Sequence, residues 1–214
     1  MLTITAIVSL ILGWLLGLLS PLIVEHIRSK KHISALAQAI KDEAAELEFR
    51  FALTAFLILQ HKGEFDAEFL KWMSLVLDRY EGNEPVEVPK RAVKSLQDAN
   101  ETQRTQIIQA MAAQPGVGIG LKTFSLSLMN SLIGQTHDFP LPFQRRIHEL
   151  RNQVHNLNEE VLEARHSHRK TFDESISESN HKRLVEDLHA KHKFIFTMMV
   201  RAAKMARALV EEEV

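Results

Sequence analysis

The chain has 214 residues and carries 26 Lys and Arg against 27 Asp and Glu, which gives a formal net charge of -1 at pH 7. This balance lacks the basic surplus that drives binding to nucleic acid, so we expect no nucleic-acid partner. The sequence contains no cysteine, which excludes a disulfide framework and a thiol nucleophile. Glycine and proline are sparse, with 8 and 6 residues, and this composition favours a helical domain over a disordered linker.

The chain opens with an uncharged run of twenty-three residues from Leu2 to Val24, LTITAIVSLILGWLLGLLSPLIV. As a helix this run is long enough to cross a bilayer core of about 30 Å, so we predict a transmembrane helix over residues 2–24. A cleaved signal peptide is one alternative, but no Lys or Arg precedes the run and no small-x-small site ends it. A buried core helix is the other alternative, although such helices rarely lack a polar face over about six turns.

The residues that follow the run predict its orientation. Arg28, Lys30 and Lys31 lie directly after it, whereas only the α-amino group precedes it. Because Lys and Arg stay on the cytoplasmic side of a membrane, we predict a single-pass protein of the cell membrane with its N-terminus outside. Residues 25–214 are then a cytosolic helical bundle.

A stripe of small residues recurs at every fourth position of the predicted membrane helix. Ser9, Gly13 and Gly17 form its centre, with a GxxxG spacing between the two glycines. Such a stripe lets two helix backbones approach closely, so we predict that it mediates helix association. Small residues are also common in membrane helices that do not associate, and the partner could be a second copy or another protein.

A first helical hairpin is predicted over residues 33–80. Apolar residues keep a helical period from Ile33, and the stretch from Phe51 is apolar on all sides. This stretch is too short to cross a membrane, so we interpret it as a buried helix end. Gly63 should end the helix, and a second amphipathic helix should open near Glu64.

Shorter helices are predicted over residues 90–134. One should run from Lys90 to Ala113, with a possible break near Asp98. The Asp98 side chain would then cap a second helix, and Glu101, three residues on, would complete the capping box. Another amphipathic pattern runs from Leu121 to Ile133 and predicts a further helix.

The most regular pattern lies in the last third of the chain, where spacings of four and three alternate as in a heptad seam. On the first helix the seam is Phe143, Ile147, Leu150, Val154, Leu157, Val161 and Ala164. On the second helix it is Leu184, Leu188, Lys191, Ile195, Met198, Ala202, Met205 and Leu209. We predict a long, coiled-coil-like antiparallel hairpin over residues 141–212, with a capping box formed by Ser175 and Glu178.

The turn of this hairpin should project from the bundle and is basic. Arg165, Arg169 and Lys170 lie at the end of its first helix. These cations could compensate the helix dipole at a solvated end, or they could form a docking tip for an acidic lipid or an acidic protein.

Motifs of metal or enzyme chemistry are weak in this sequence. Glu163 and His166, and again Glu186 and His189, have the Glu-x-x-His spacing of di-iron bundles. The heptad assignment places all of these residues on solvent-facing positions, whereas a di-metal site needs ligands that converge in the core. We therefore expect no metal, no cofactor and no enzymatic activity.

The sequence predicts an all-α protein with an N-terminal transmembrane helix and a cytosolic antiparallel helical bundle. The expected function is protein–protein association at the inner face of the membrane, as a scaffold, adaptor or sensor subunit, with a second copy among the candidate partners. An alternative is a membrane effector whose N-terminal helices oligomerise into a pore. A helical metal-dependent enzyme is a further, weaker alternative.

Overall fold

The computed structural model describes residues 2–112, 119–173 and 175–214, and within this part it leaves out the side chains of residues 2–13, 15–23 and 26. Over the described residues the chain forms helices and no strands, which confirms the all-α class. The elements are α1 (Leu2–Lys62), α2 (Ala67–Arg79), α3 (Glu87–Asp98), α4 (Glu101–Met111), α5 (Ser127–Ser131), a 3₁₀ helix (Ile133–Asp138), α6 (Leu141–Lys170) and α7 (Glu178–Glu211). They pack together as a helical bundle.

Helix α7 is the central element, because α1 packs along one side of it and α6 along another. Helix α1 runs antiparallel to α7. His61 near the end of α1 lies beside His192, with ring centroids 6.4 Å apart, whereas Glu48 earlier in α1 lies beside Arg207 later in α7. The short connection over residues 171–177 makes α6 antiparallel to α7 as well.

The seam of the long hairpin confirms the heptad interpretation for α6, since every predicted seam residue of that helix is buried. On α7 four of the eight predicted residues are buried, Leu188, Ile195, Ala202 and Leu209, and the other four are only partly buried. A second buried row lies on the same helix and consists of His192, Met199, Ala203 and Ala206. The heptad pattern does not predict this row, because it results from packing on two sides: a helix between two neighbours buries a wider face than a two-helix seam requires.

Helix α1 is continuous from Leu2 to Lys62 but enters the bundle only in its second half. The described side chains from Val24 to His32 are exposed, and Ala37 is the first described residue to be buried. Further along, α1 contacts α2, α4, α5 and α7, so several of its faces are covered. The apolar stretch from Phe51 lies in this covered part, which confirms that it is a buried helix end.

The end of α1 and the start of α2 follow from local capping. Gly63 ends α1 as predicted, with φ of 68°, a left-handed conformation that costs glycine little because it has no Cβ. Helix α2 begins at Ala67 and not near Glu64, because the Asp66 carboxylate accepts a hydrogen bond from the Phe69 amide over 2.6 Å and caps the helix there.

The helix predicted over residues 90–113 is two helices, α3 and α4, with the break near Asp98 as predicted. The capping residues differ from the prediction. Asn100 accepts from the Gln103 amide over 2.9 Å, and the Gln103 side chain accepts from the Asn100 amide over 3.2 Å. Asn100 can cap because its backbone is extended, whereas Asp98 is still helical.

The helix predicted from Leu121 to Ile133 is wrong, since only the five residues of α5 are α-helical there. Side chains from other helices occupy the backbone groups that a helix would use. Asn158 of α6 bonds to both the amide and the carbonyl of Phe124 at 2.8 Å. The Glu43 carboxylate of α1 accepts from the Leu128 and Met129 amides at 2.9 and 2.8 Å. The Asn158 bonds satisfy Phe124 in a non-helical conformation, whereas Glu43 caps the first amides of α5, so the helix starts only at Ser127.

The capping box predicted for the hairpin turn is also wrong. Asp173 accepts hydrogen bonds from the amide and the hydroxyl of Ser175 at 2.9 and 2.7 Å, so Ser175 is engaged within the turn. Ser177 is the residue before α7, and its side chain makes no capping bond.

The bundle has two different ends. Because His192 lies beside His61, the first turns of α7 and the last turns of α6 extend beyond the end of α1. The turn of the hairpin therefore lies at the end opposite the uncovered start of α1. From Lys31 to Lys62 the helix rises about 46 Å, at ~1.5 Å per residue.

Candidate functional site

The predicted membrane segment, residues 2–24, belongs to α1, but most of its side chains lie outside the described part of the structure. The side chains on which the predicted association face depends are not described: Ser9, Gly13 and Gly17. The predicted flanking cations are exposed on α1: Arg28, Lys30 and Lys31. Trp14 is 65% exposed. Among the residues whose side chains the structure describes, which leave out most of the predicted span, no helix is long and apolar enough to cross a bilayer.

The predicted docking tip separates into two parts. Arg165 is half-buried, and its Nε donates to the Leu121 carbonyl oxygen over 2.6 Å, so it ties α6 to the segment before α5. Arg169 and Lys170 are exposed at the end of α6. Phe172 follows them with 71% of its surface exposed. The hairpin turn therefore presents two cations beside one aromatic ring.

The two Glu-x-x-His motifs face solvent, as their heptad positions predict. Their four residues are all exposed: Glu163, His166, Glu186 and His189. Glu163 forms an ion pair with the seam residue Lys191, which also lies 3.8 Å from Glu160. The hydrogen bond to Glu163 raises the pKa of Lys191. No group of three or more His, Asp or Glu side chains with metal-binding geometry occurs in the part of the chain that the structure describes.

A polar cavity of about 680 Å³, which we call the Glu48 pocket, lies between α1, the end of α2 and the end of α7. Glu48 on its wall is only 6% exposed. The carboxylate accepts a hydrogen bond from the Arg79 guanidinium over 2.8 Å, and Arg207 of α7 supplies a second positive charge. Burial nevertheless raises the pKa of Glu48 above its ordinary value, because loss of hydration outweighs the attraction of the two arginines.

Tyr80 closes one side of the Glu48 pocket. Its ring stacks on Phe49 with centroids 4.0 Å apart, and its hydroxyl donates to Glu46 over 2.6 Å. The same hydroxyl accepts from the Glu84 amide over 3.2 Å. A side chain at Gly82 would overlap the Tyr80 ring, so glycine lets the loop after α2 fold over the phenol. These hydrogen bonds join α2 and the loop after it to α1, and Arg207 of α7 adds a positive charge to the same pocket.

A second concave surface lies between α2 and α7. We call it the α2–α7 groove, and it consists of two adjoining clefts of about 780 and 360 Å³ that share Asp66 and Phe196. Its floor is aromatic: the Phe69 ring lies 5.4 Å from Trp72 and 5.6 Å from Phe196. Trp72 and Phe196 are only half-buried. The groove therefore presents apolar surface to solvent.

The two walls of the α2–α7 groove carry opposite charges. Lys193, Arg201 and Lys204 line the α7 wall, whereas Glu64 and Glu68 line the α2 side. All five are exposed. None of them forms an ion pair with another residue in the described ranges. These charges are thus available to a molecule that enters the groove.

A buried imidazole lies between the end of α1 and α7. His192 is 4% exposed and meets the His61 ring edge-on. Burial, reinforced by the nearby positive groups His61 and Lys62, lowers the pKa of His192 to about 4. Burial also lowers the pKa of His61. His192 is therefore neutral at pH 7 and belongs to the core.

No family model, curated protein or solved structure matches the chain. The fold defines the class of protein as an all-α helical bundle.

The sequence patterns do not identify the Glu48 pocket or the α2–α7 groove. Glu48 lies between the apolar residues Leu47 and Phe49. A single carboxylate at such a position only weakly indicates a buried charge. Lys193, Arg201 and Lys204 lie eight and three residues apart and so share one helix face. A cationic face is usually just solvated, however, and only the packing of α2 beside α7 makes it one wall of a groove.

Proposed function

We propose that this chain is a single-pass, membrane-anchored interaction protein, acting as a scaffold, adaptor or sensor subunit. In this proposal residues 2–24 cross the membrane with the N-terminus outside, and residues 25–214 form the cytosolic bundle. The observation that carries the proposal is that the uncharged N-terminal run continues without a break into a helix whose second half lies in the core of the bundle.

The exposed part of α1, from Val24 to His32, supports the proposal that a short stretch of helix connects the membrane span to the bundle. Val24 and Ile27 are 53% and 49% exposed, so no element of the bundle covers these apolar side chains. The cations Arg28, Lys30 and Lys31 follow on the same exposed stretch. Apolar residues beside a cluster of cations are typical of the boundary between hydrocarbon and anionic headgroups.

Because α1 is one continuous helix, the proposal places the hairpin tip far from the membrane. With α1 upright, Arg169 and Lys170 stand more than about 45 Å from the flanking cations, at ~1.5 Å per residue. This distance greatly exceeds a Debye length of about 8 Å, so headgroups of the same membrane do not attract the tip. The proposal therefore assigns the tip to the cytosol, where an acidic protein is its possible ligand.

Membrane insertion is tested by fractionation of the full chain. We expect it in the membrane pellet after alkaline carbonate and in the supernatant only after detergent. Leu12→Arg combined with Leu16→Arg should release the chain, because a charge at the centre of a membrane helix costs about 2.5–3.5 kcal/mol. Leu162→Arg, at an exposed position of α6, is the matched control. Full-length protein in the soluble fraction without detergent would contradict the proposal.

Orientation can be tested because the chain has no cysteine. A short polar tag that contains one cysteine, added before Met1 and so outside the span, should react with a membrane-impermeant maleimide in intact cells, whereas Ser179→Cys should react only after lysis. The reverse pattern would refute the N-out orientation.

Association through the membrane helix is tested with a reporter of helix–helix contact. Gly13→Ile and Gly17→Ile should weaken self-association, since a β-branched side chain separates the two backbones. Leu15→Ile lies off the stripe and should have no effect. An unchanged signal for both glycine variants would remove the association face from the proposal.

A further inference from the structure

We propose that the α2–α7 groove binds an amphipathic helix of a partner protein, with acidic residues along the edge of that helix that meets α7. This inference names the kind of partner and the surface for the interaction function proposed above.

The aromatic floor of the groove is partly open to solvent. Helix α2 has 13 residues and α7 has 34, so by length alone α2 can cover at most about 20 Å of the about 51 Å of α7. Trp72 and Phe196 remain half-buried although the Phe69 ring lies against both of them. An open apolar channel between two helices has the shape that accepts the apolar face of a third helix.

Charge determines what kind of helix fits. The α7 wall carries three cations that form no ion pair with the described residues: Lys193, Arg201 and Lys204. A fourth cation, Arg146 at the end of the groove, is already paired, since it lies 3.6 Å from Glu149 and 3.4 Å from Glu212. Unpaired cations beside an apolar floor favour acidic side chains on the occupant.

The spacing of these cations favours a helix over a fatty acid. From Lys193 to Lys204 the α7 wall rises about 16 Å, which is three turns. A helix of the same length places one acidic residue beside each cation while its apolar positions at i, i+3 or i+4, and i+7 reach Trp72 and Phe196. A fatty acid carries one carboxylate at one end and leaves the other cations without a partner.

The probe is a 15-residue helical peptide with leucines on one face and glutamates along one edge, without tryptophan. The reference peptide has glutamines in place of the glutamates. Binding is read from the emission of Trp72 in the full chain carrying Trp14→Phe, which leaves one tryptophan of the two. The chain is used in phosphatidylcholine nanodiscs, or in buffer if it needs no detergent.

We expect the glutamate peptide to bind about tenfold more tightly than the glutamine peptide at low salt, a difference of ~1.4 kcal/mol. Exposed ion pairs are individually weak, so three of them together reach this value. Arg201→Glu combined with Lys204→Glu should abolish the preference, and 0.5 M NaCl should reduce it. Arg169→Glu combined with Lys170→Glu, at the hairpin tip, should leave the preference unchanged. An unchanged helical CD spectrum of each variant shows that its fold is intact.

Several results would overturn the inference. Equal affinities of the two peptides, or no change of Trp72 emission up to about 1 mM peptide, would show that the groove does not select an acidic helix. A response to laurate but to neither peptide would assign the groove to a lipid. If the variant with both Arg201→Glu and Lys204→Glu lost self-association of the chain, the groove would be assigned to a second copy. Failure of membrane anchoring is distinguishable, because fractionation measures the anchor and Trp72 measures the groove.

Discussion

Acidification is expected to destabilise the bundle through His192. In the unfolded chain an imidazole takes up a proton near pH 6.5, whereas in the folded chain the pKa of His192 is about 4. Between these values the unfolded state binds more protons than the folded state, so the free energy of unfolding falls as the pH falls. The stability that depends on neutral His192 is present above pH 6.5 and is lost towards pH 4.

The magnitude follows from the difference in pKa between the two states. At ~1.4 kcal/mol per pKa unit the full effect is about 3 kcal/mol, of which about 2 kcal/mol should be lost by pH 5. No discount for solvent is needed, because His192 is only 4% exposed. The charged groups around it, His61 and Lys62 on α1, His168 on α6 and His189 on α7, act in the same direction.

The assay is urea unfolding followed by CD at 222 nm, at pH 7.5 and at pH 5.0. His192→Gln removes the titrating group. Between pH 7.5 and pH 5.0 the free energy of unfolding of this variant should therefore decrease by about 2 kcal/mol less than that of the unmodified chain. His166→Gln, at an exposed position of α6, controls for the loss of a histidine as such. Contributions from Glu48 and His61 remain in all three proteins and cancel in the comparison. Identical pH dependence of the His192→Gln variant and the unmodified chain would refute the reasoning.

Further predictions concern single contacts of the bundle. Glu43→Gln weakens the acceptor at the start of α5 and should cost about 1–2 kcal/mol, with faster amide hydrogen exchange in that helix; unchanged exchange would show that the carboxylate does not hold α5. Arg79→Met leaves the Glu48 carboxylate buried without its hydrogen-bond donor, so it should cost about 1–2 kcal/mol at pH 7.5 and less at pH 4, where Glu48 is protonated. An equal loss at both pH values would argue against that pairing. Gly63→Ala forces a Cβ into the left-handed region and should lower stability by about 1 kcal/mol in urea unfolding, whereas Gly134→Ala, which has open space around it, should not.

Predictions from the sequence succeeded where one chain segment determines its own structure. All seven residues that the a/d spacing predicted for the seam of α6 are buried, and Gln153 is the one further residue of α6 that is buried. The pattern succeeded because heptad spacing reports the face that one helix presents to another. Gly63 predicted the end of α1 for an equally local reason, since its backbone conformation favours glycine. Boundaries such as Ala67 and Asn100 were missed by a few residues, because several nearby side chains could have capped the helix.

The helix predicted for residues 121–133 is wrong although the apolar residues there do have a helical period. The backbone of this segment bonds to side chains of other helices. Asn158 satisfies the amide and carbonyl of Phe124 outside a helix, and Glu43 caps α5 at its first amides; both side chains come from helices more than thirty residues away in sequence. A local pattern contains no information about such partners, and tertiary hydrogen bonds override a modest helix preference.

By itself the sequence determined the all-α class, the long C-terminal hairpin and the uncharged run that motivates a membrane anchor. These features depend on hydrophobic periodicity and run length, which are properties of one segment at a time. Only the tertiary structure decided that α7 is central, that Glu48 meets Arg79 and that α2 lies beside the cations of α7. Such pairings depend on which helices become neighbours, and helical period alone does not specify a neighbour.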